Sequence, residues 1–229
     1  MGAESLINFE DVEKVYEMGD AEVRALRGSY LKIESGEFIA VMGPSGSGKS
    51  TLMNMMGALD VPTTGLVEVA GRDLSEMGPD ELALLRNEKV GFIFQEFNLL
   101  KNMNTIQNVM LPLTIQEVPK TERRSRAAEL LEKVGLGDRL KHMPSELSGG
   151  QRQRVSIARA LANDPEIVLA DEPTGNLDTD TGAKIMELLT EFNEEGKTII
   201  MVTHDPNDAE YADRTIKIKD GVTHPGEEE

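Results

Sequence analysis

Length, composition and charge place this chain among globular proteins with one sizeable core, since its 229 residues are 39% hydrophobic and 28% charged. A net charge of −17, from 24 basic and 41 acidic residues, argues against non-specific nucleic-acid binding and against holding an anionic membrane by charge alone. The absence of cysteine excludes disulfides and thiolate-bound metals and favours a reducing compartment.

The N-terminal residues, Met1–Leu6, lack the basic and then apolar segments of a signal peptide. No apolar run approaches the roughly 20 residues that a membrane-spanning helix needs. We therefore expect a cytoplasmic or peripheral protein whose contact with a membrane is made through another protein.

The first predicted elements form an antiparallel β layer. Asn8–Tyr16 and Val23–Ile33 have the composition of strands and are separated by a polar turn around residues 19–20. We expect Leu66–Ala70 and Thr215–Lys219 to join the same layer.

Four short runs rich in Ile, Val or Phe predict a second, largely parallel sheet, because longer helical stretches separate them. They are Phe38–Met42, Val90–Phe94, Ile167–Ala170 and Thr198–Thr203. This alternation of strands and helices is typical of an α/β fold.

Residues 97–160 contain little strand pattern, whereas Thr105–Leu113 and Glu122–Val134 have helical patterns. We therefore predict a single domain over residues 1–229. Residues 1–96 and 161–221 would form the β layer and the α/β core, and residues 97–160 an inserted helical sub-domain. Residues 222–229 are expected to be a disordered tail.

The strand Phe38–Met42 leads into residues 43–50, with the sequence GPSGSGKS, and then into a helix-prone stretch. This is the phosphate-binding P-loop pattern in its expected strand–loop–helix context. Glycines let the backbone wrap around phosphate oxygens, and the N–H groups of the helix start favour an anion. Lys49 adds a positive charge towards the β and γ phosphates, and the Ser50 hydroxyl is placed for Mg²⁺. The pattern indicates a P-loop NTPase.

A second glycine-rich helix start, LSGGQ, occurs at Leu147–Gln151, before the helix-prone stretch Arg152–Leu161. A glycine pair at a helix start leaves N–H donors open, which suits phosphate. Ser148 and Gln151 also match a capping box, which needs no ligand, so the residues alone leave both interpretations open. If both helix starts bind ATP, the second would complete a site on another copy of the chain.

Leu147–Gln151 resembles the signature motif of the ABC-transporter ATPases, and the resemblance covers essentially the whole chain. It implies a P-loop NTPase core of the RecA-like type that binds ATP and Mg²⁺ and hydrolyses ATP. It also implies an ATP-dependent homodimer in which the signature residues bind the γ-phosphate of the partner's ATP. Those residues are Ser148, Gly149, Gly150 and Gln151.

The apolar run Ile167–Ala170 ends in two acids, Asp171 and Glu172, at the sheet edge where ligands sit in such folds. Asp171 is suited to hold Mg²⁺ through its water shell. Glu172 is suited to orient and deprotonate the attacking water. Adjacent acids at a strand end are usually a solvated turn, but beside a P-loop they resemble the Walker B aspartate and the catalytic glutamate.

Four further positions take their roles from the resemblance. His204 resembles the switch histidine that contacts the γ-phosphate and Glu172. Gln95 resembles the Q-loop glutamine that touches Mg²⁺ or the attacking water. Asp178 resembles the D-loop residue at the dimer interface, and Tyr16 the aromatic residue that stacks on adenine.

These assignments combine into one predicted site. The ATP-binding residues are Tyr16, Gly43, Pro44, Ser45, Gly46, Ser47, Gly48, Lys49, Ser50 and Thr51. The catalytic residues are Lys49, Gln95, Glu172 and His204, and the Mg²⁺ residues are Ser50, Gln95 and Asp171.

Phe97–Leu100 is apolar and follows the Q-loop directly, so we expect it to dock a separate transmembrane permease subunit, although it also suits packing of the helical sub-domain. Residues 94–100 and 108–113 resemble the lipoprotein-release and macrolide-export group, which implies export. Arg123, Arg124 and Arg126 form a basic cluster that is either a solvated face or a contact for an acidic partner loop.

Other ABC ATPases share these motifs. The nearest alternatives are an importer ATPase and a cell-division or envelope-signalling ATPase that transmits force without transport. A soluble ABC ATPase of DNA repair or translation would usually need a coiled-coil insert or two cassettes, and the charge of this chain opposes it. A P-loop kinase is disfavoured by the signature motif.

Overall fold

The computed structural model describes residues 5–19 and 21–225. The strands are β1 Ser5–Met18, β2 Ala21–Glu34, β3 Phe38–Met42, β4 Thr64–Val69, β5 Arg72–Asp73, β6 Val90–Phe94, β7 Ile167–Asp171, β8 Thr198–Val202, β9 Arg214–Lys219 and β10 Val222–Pro225. The α-helices are α1 Lys49–Met56, α2 Pro79–Lys89, α3 Thr105–Ile115, α4 Lys120–Lys133, α5 Gly149–Ala160, α6 Thr179–Glu194 and α7 Pro206–Ala209.

Strands β2, β1, β4 and β5 form an antiparallel layer in that order. β1 and β2 pair along most of their length, with Phe9 opposite Leu31 and Tyr16 opposite Val23. Phe9 and Leu31 are buried in the core shared with the main sheet, as expected for strands with one covered face. The predicted hairpin is confirmed, and so is the third strand at Leu66–Ala70, which corresponds to β4.

The main sheet has six strands in the order β10-β9-β3-β8-β7-β6, and β3, β6, β7, β8 and β9 run parallel. All four strands predicted for it are confirmed. Phe38 and Ala40 belong to a core on the helical side, whereas Ile39 and Val41 belong to the core under the β layer. Coverage of both faces explains why these strands are apolar at successive positions.

Two expectations from the sequence are wrong. Thr215–Lys219 lies in β9, which joins the main sheet and pairs in parallel with β3, so that Ile216 is opposite Val41. Apolar alternation shows that a strand has a buried face but does not show which sheet it joins. Val222–Pro225 forms β10 on the edge of that sheet and is not a disordered tail. Residues 226–229, and Asp20 of the predicted turn, lie outside the described residues.

The segment 97–160, all of which the structure describes, contains α3, α4 and α5 and no strand. Leu113, Leu131 and Val155 share one core there. The end of α5 lies against β6, since a Cβ added to Gly91 would be 2.4 Å from the carbonyl oxygen of Ala160. This orientation brings the start of α5 towards the carboxyl edge of the sheet. No helix in the described part of the chain has both the length and the apolar character needed to cross a bilayer.

Candidate active site

A cleft of about 690 Å³ opens at the carboxyl edge of the main sheet. Its walls come from the loop after β3, the start of α1, β2 and the residues that follow β6, β7 and β8. The predicted site residues that line it are Gly43, Pro44, Ser45, Gly46, Gly48, Lys49, Ser50, Thr51, Gln95, Asp171, Glu172 and His204. Tyr16, Ser47, Asp178 and the segment Ser148–Gln151 are described by the structure but do not line this cleft.

The P-loop enters α1 after Gly48, which is the residue before the helix and has a left-handed conformation with φ of 107°. A Cβ added there would lie 2.6 Å from the carbonyl oxygen of Ala25, so glycine is required. Among the residues that the structure describes, no side chain caps α1, and the N–H groups of its first turn suit an anionic ligand. Lys49 Nζ donates to the carbonyl oxygens of Gly43 and Pro44 at 2.6 and 2.9 Å, which holds its charge at the loop.

Strand β9 and the turn that follows it lie against the same loop. A Cβ added to Gly43 would lie 2.2 Å from the carbonyl oxygen of Ile218. The N–H of Gly221 donates to the carbonyl oxygen of Ser47 at 3.0 Å. The Ser47 residue is 3% exposed, so it contributes backbone to the loop while its side chain stays out of the cleft.

The two acids stand at the end of β7. Glu172 has a left-handed backbone conformation with φ of 44°, which is uncommon for a residue other than glycine. Its N–H donates to the carbonyl oxygen of Val202 at 2.9 Å, and its Oε1 lies 2.8 Å from Nδ1 of His204. Burial raises the pKa of the Asp171 carboxyl, the charge of Glu172 raises it further, and Lys49 opposes the shift. The acids therefore concentrate negative charge beside the P-loop lysine.

The loop after β7 contacts two other parts of the molecule. The Gln95 side chain packs against Gly175, where an added Cβ would be 2.7 Å from its Nε2. The carbonyl oxygen of Gln95 accepts a hydrogen bond from Nδ2 of Asn176 at 2.8 Å. From α5, Nε2 of Gln153 donates to the carbonyl oxygen of Pro173 at 2.6 Å. One short loop thus joins the predicted Q-loop glutamine to the helix that follows the signature.

The start of α5 is a complete capping box. Ser148 Oγ accepts the N–H of Gln151 at 3.3 Å, and Gln151 Oε1 accepts the N–H of Ser148 at 2.9 Å. Both helix-start groups are therefore paired within the chain. The capping interpretation of this motif is correct, and it leaves room for a ligand at the remaining N–H groups of the first turn.

The glycine pair at the start of α5 is closely packed against side chains of the next segment. A Cβ added to Gly149 would lie 3.2 Å from Cδ2 of Leu177, and one added to Gly150 would lie 2.3 Å from Cγ2 of Thr181. These neighbours belong to the loop after β7 and to α6. The signature segment is thereby seated on the loop that carries Glu172.

Tyr16 stands beside the cleft, opposite Val23, which lines it. Its hydroxyl donates to Oδ2 of Asp60 at 2.8 Å, and Lys14 Nζ lies 5.0 Å from the ring centroid. Burial raises the pKa of the Tyr16 hydroxyl, and the hydrogen bond to Asp60 raises it further. The ring is thus fixed at its edge by Asp60 and approached by a cation.

Asp178 is the N-cap of α6. Its Oδ1 accepts the N–H of Thr181 at 3.0 Å, and its Oδ2 accepts the Thr181 hydroxyl at 2.8 Å. These hydrogen bonds hold the pKa of the exposed carboxyl below its ordinary value. Within a single chain, the role of Asp178 is therefore to cap α6.

Comparison with known proteins identifies the family of this chain. The family model described as ABC transporter matches residues 26–175. The chain belongs to the ABC transporter family. An uncharacterized ABC transporter ATP-binding protein of Thermotoga maritima is 53% identical over 92% of this chain and 90% of its own length. The macrolide export ATP-binding/permease protein MacB of Hyphomonas neptunium is 52% identical over 94% of this chain but only 34% of its own length.

A solved structure shares the fold. It is a dimeric structure of a post-hydrolysis state of the ATP-binding cassette MJ0796 bound to ADP and Pi. It is 46% identical, with a TM-score of 0.87 over 96% of this chain and 98% of that one. The predicted family, its macrolide-export relatives, the P-loop NTPase fold and the ATPase activity are confirmed. The chain is an ATP-hydrolysing ABC cassette.

In this ABC cassette, three cleft residues present the oxygen atoms that Mg²⁺ prefers, namely Ser50, Gln95 and Asp171. The raised pKa of Asp171 reflects burial and the neighbouring charge of Glu172, both of which a divalent cation would offset. Within residues 5–19 and 21–225 no three His, Cys, Asp or Glu side chains gather around a metal position. The donor set therefore fits Mg²⁺ held jointly by the protein, water and phosphate oxygens.

Sequence reasoning missed two arginines of the ABC cassette. Arg24 lines the cleft from β2, and only the register of the hairpin beside Tyr16 could have indicated it. Arg159 donates to the carbonyl oxygens of Phe97 and Asn98 at 2.9 and 2.6 Å, and burial lowers the pKa of its guanidinium. These hydrogen bonds hold the backbone that follows Gln95, and no local sequence motif predicts them.

The segment expected to dock the partner divides into buried and exposed parts. Phe97 is 8% exposed, and the Arg152 guanidinium lies 5.0 Å from its ring centroid. Leu99 packs partly against the helical core. Asn98 and Leu100 are exposed. Phe97 therefore packs the sub-domain, and Asn98 and Leu100 remain available to a partner.

Proposed function

We propose that the chain is the ATP-hydrolysing subunit of an exporter-type ABC system, in which two copies enclose two Mg-ATP. The observation that carries the proposal is the separation of the two phosphate-binding helix starts. The P-loop, Glu172 and His204 share one cleft, whereas Ser148–Gln151 lies outside it. The second helix start thus does not line the cleft that holds the P-loop of its own chain, and in a head-to-tail pair it would close the cleft of the other copy.

The dimer is supported by a relative of similar structure. The ATP-binding cassette MJ0796, with a TM-score of 0.87 to this chain, is dimeric with ADP and Pi bound. Asp178, exposed at the start of α6, would lie at such an interface. Tyr16 would offer the ring to adenine, and stacking on an aromatic ring contributes about 1–3 kcal/mol per base.

The phosphates would be held by the P-loop. Its N–H groups and the charge of Lys49 suit the β and γ phosphates. Ser50, Gln95 and Asp171 would hold Mg²⁺, which when bound neutralises charge on the phosphate oxygens. Because these groups are fixed before the nucleotide arrives, catalysis relies on positioning and charge neutralisation.

Proton transfer would be the task of Glu172. Its side chain is 21% exposed and points to His204, whose side chain is 71% exposed. In that position Glu172 can orient a water towards the γ-phosphate and accept its proton. His204 would contact the same phosphate and keep Glu172 oriented.

A groove of about 440 Å³ beside the Q-loop suits a membrane partner. Ile115, Pro112 and Leu111 of α3 line it together with Asn98 and Arg159. Ile115 is 65% exposed and adjoins Leu111 and Pro112 in the groove, and a contiguous apolar surface of this kind is typical of a partner-binding site. We place the docking surface in this groove and at the neighbouring residue Leu100, which is 40% exposed.

The exporter assignment rests on relatives. MacB proteins of two organisms, named for macrolide export and for both ATP-binding and permease parts, are 50% and 52% identical to this chain. Other relatives, such as YvrO of Bacillus subtilis at 52% identity, are named as ATP-binding proteins. We infer that this chain serves a membrane permease of the MacB kind as a separate, peripheral subunit on the cytoplasmic face.

The chain has no native cysteine, so a single introduced thiol can report on the groove. Ile115→Cys places the thiol in the groove, and Tyr30→Cys on β2 is a control of similar exposure, at 63% against 65%. After cross-linking in native membranes, adducts are identified by mass spectrometry. We expect Ile115→Cys alone to capture a membrane protein with few spans and a large extracytoplasmic domain.

Other adducts would change the proposal. A permease with many spans would favour conventional transport over the exporter type. A cell-division or signalling membrane protein would favour force transmission without transport. Absence of any membrane adduct, with ATP hydrolysis intact, would contradict the membrane role and favour a soluble ABC ATPase.

A further inference from the structure

The two loops that carry the proposed base and the switch histidine meet at an exposed contact. Glu172 Oε1 and His204 Nδ1 are 2.8 Å apart, but the His204 side chain is 71% exposed. Contacts so open to water constrain geometry weakly. The hydrogen bond from the Glu172 N–H to the carbonyl oxygen of Val202 joins the two loops where they begin, so the position of the residues beyond that point depends on further contacts.

A second, more buried contact joins the same two loops. The hydroxyl of Thr174 donates to Oδ2 of Asp208 at 2.5 Å. Thr174 follows Glu172 closely in the loop after β7, and Asp208 lies in α7, the short helix that follows His204. Asp208 is 9% exposed, so water competes little for this hydrogen bond.

Asp208 is connected rigidly to the end of β8. Asp205 caps α7, because its Oδ1 accepts the N–H of Asn207 at 2.9 Å. The N–H of Asp205 donates in turn to Oγ1 of Thr203, which is 2% exposed. A displacement of Asp208 would therefore move His204, which lies between Thr203 and Asp205.

Thr174 is held equally firmly on the other side. Its carbonyl oxygen accepts the N–H of Leu177 at 2.9 Å, and the N–H of Gly175 donates to the carbonyl oxygen of Glu172 at 3.1 Å. The loop is thus a tight turn in which Thr174 and Glu172 move together.

We propose that Asp208 is a positioning residue whose hydrogen bond to Thr174 sets the spacing between the loops of Glu172 and His204. The inference rests on the proposed roles of Glu172 and His204 in hydrolysis. The bond keeps both side chains directed to the same water and phosphate while the cleft opens and closes.

The charge of Asp208 is not what makes this contact useful. Burial raises the pKa of its carboxyl, and the charges of Asp205 and Glu172 raise it further, while Thr174 and His204 oppose the shift. A negative charge here is unfavourable overall, whereas an acceptor oxygen for Thr174 is required. Substitutions of Asp208 can therefore remove its charge while keeping an acceptor oxygen for Thr174, or remove both.

The test measures kcat and KM for ATP in the purified chain. Asp208→Leu fills the site without an acceptor, and Thr174→Val removes the donor at nearly constant shape. Each should lower kcat about 10-fold, as small misplacements of catalytic groups do, with KM unchanged. Asp208→Asn keeps an acceptor oxygen without the charge and should retain activity close to that of the unmodified chain.

The matched control is Thr190→Val. The Thr190 hydroxyl donates to the carbonyl oxygen of Met186 within α6, at 3.0 Å, away from the cleft, so its loss should leave kcat unchanged. Thermal unfolding of every variant shows whether a loss of activity merely follows a loss of fold. Rescue by Asp208→Asn at equal stability would be inconsistent with a purely structural role.

A double-mutant cycle with His204→Ala completes the test. If Asp208 acts through His204, Asp208→Leu should have little further effect in that background. An unchanged kcat in Asp208→Leu, or losses that multiply in the double variant, would overturn the proposal. If His204→Ala itself hydrolyses ATP at the normal rate, the proposed role of His204 fails, which is a distinct result and removes the basis of the inference.

Discussion

Helices α1 and α5 both begin at glycine-rich turns, yet the two starts are built in opposite ways. α1 follows Gly48 and receives no side-chain cap, so its first N–H groups are ready for a ligand. α5 follows Ser148, whose side chain and that of Gln151 form a capping box within the chain. The first start is complete as a binding site, and the second is stable without a ligand. In the proposed dimer, a self-capped helix start would remain on the surface until the other copy presents ATP.

The largest expected effect comes from Glu172→Gln, which preserves both helix starts and removes the proposed base. Hydrolysis should slow about 10²- to 10⁴-fold, the typical contribution of general base catalysis. ATP would then occupy both starts at once and trap a dimer, detectable by gel filtration. Observation of monomers at saturating Mg-ATP would contradict the proposal that α1 of one copy and α5 of the other bind the same ATP.

A glycine-to-alanine pair distinguishes the two starts directly. Gly48→Ala forces a side chain into a left-handed conformation, which costs about 1–3 kcal/mol and should weaken ATP binding roughly 10- to 100-fold. Gly150→Ala places a methyl against Cγ2 of Thr181, and neither residue lines the nucleotide cleft, so a monomer should still bind ATP normally. We expect this second variant to lose dimerisation instead. If calorimetric titration showed equal losses of ATP affinity in Gly48→Ala and Gly150→Ala, the starts of α1 and α5 would not have distinct roles.

The capping box itself is tested by Ser148→Ala. Loss of an N-cap costs about 1 kcal/mol, which lowers Tm by about 2–4 °C in a chain of this size. Asn104→Ala, which removes the cap of α3, is the matched control and should lower Tm similarly. Only Ser148→Ala should also weaken the ATP-dependent dimer. A dimer unaffected by Ser148→Ala would leave this segment with a structural role alone.

The smallest expected effect is on thermal stability and comes from the charge of Asp171, which lies near Lys49 at the start of α1. Because the folded pKa of Asp171 is raised, stability falls as pH rises from the ordinary aspartate value of about 3.9 through the folded pKa. Without nucleotide, Asp171→Asn should therefore unfold at a higher temperature than the unmodified chain at neutral pH. The gap should narrow as pH approaches the ordinary value.

Asp164→Asn is the control of opposite sign. The hydrogen bond from Lys197 holds the pKa of Asp164 below its ordinary value, so removing that charge should lower Tm at neutral pH. Calorimetric scans of both variants over pH provide the comparison. An Asp171→Asn variant that is less stable than the unmodified chain would mean that the local negative charge is already compensated.

The site residues that could be predicted from the sequence are those that lie in short motifs of consecutive residues. The P-loop and the two acids are short runs whose chemistry and spacing stand in consecutive residues, and all but Ser47 of them line the cleft. Contacts between distant residues were not predictable. Arg159 reaches back 61 residues to Asn98, and Thr174 reaches 34 residues forward to Asp208. No local pattern encodes such pairs, and the same reason explains why Thr215–Lys219 was assigned to the wrong sheet.

The contact between Gly221 and Ser47 has a consequence for how the protein is made. The P-loop is synthesised before the turn at Gly221 that supports it. A nascent chain should therefore carry an unsupported P-loop until Gly221 has emerged. Since ligands stabilise only states that bind them, ATP can assist folding only after that turn has emerged.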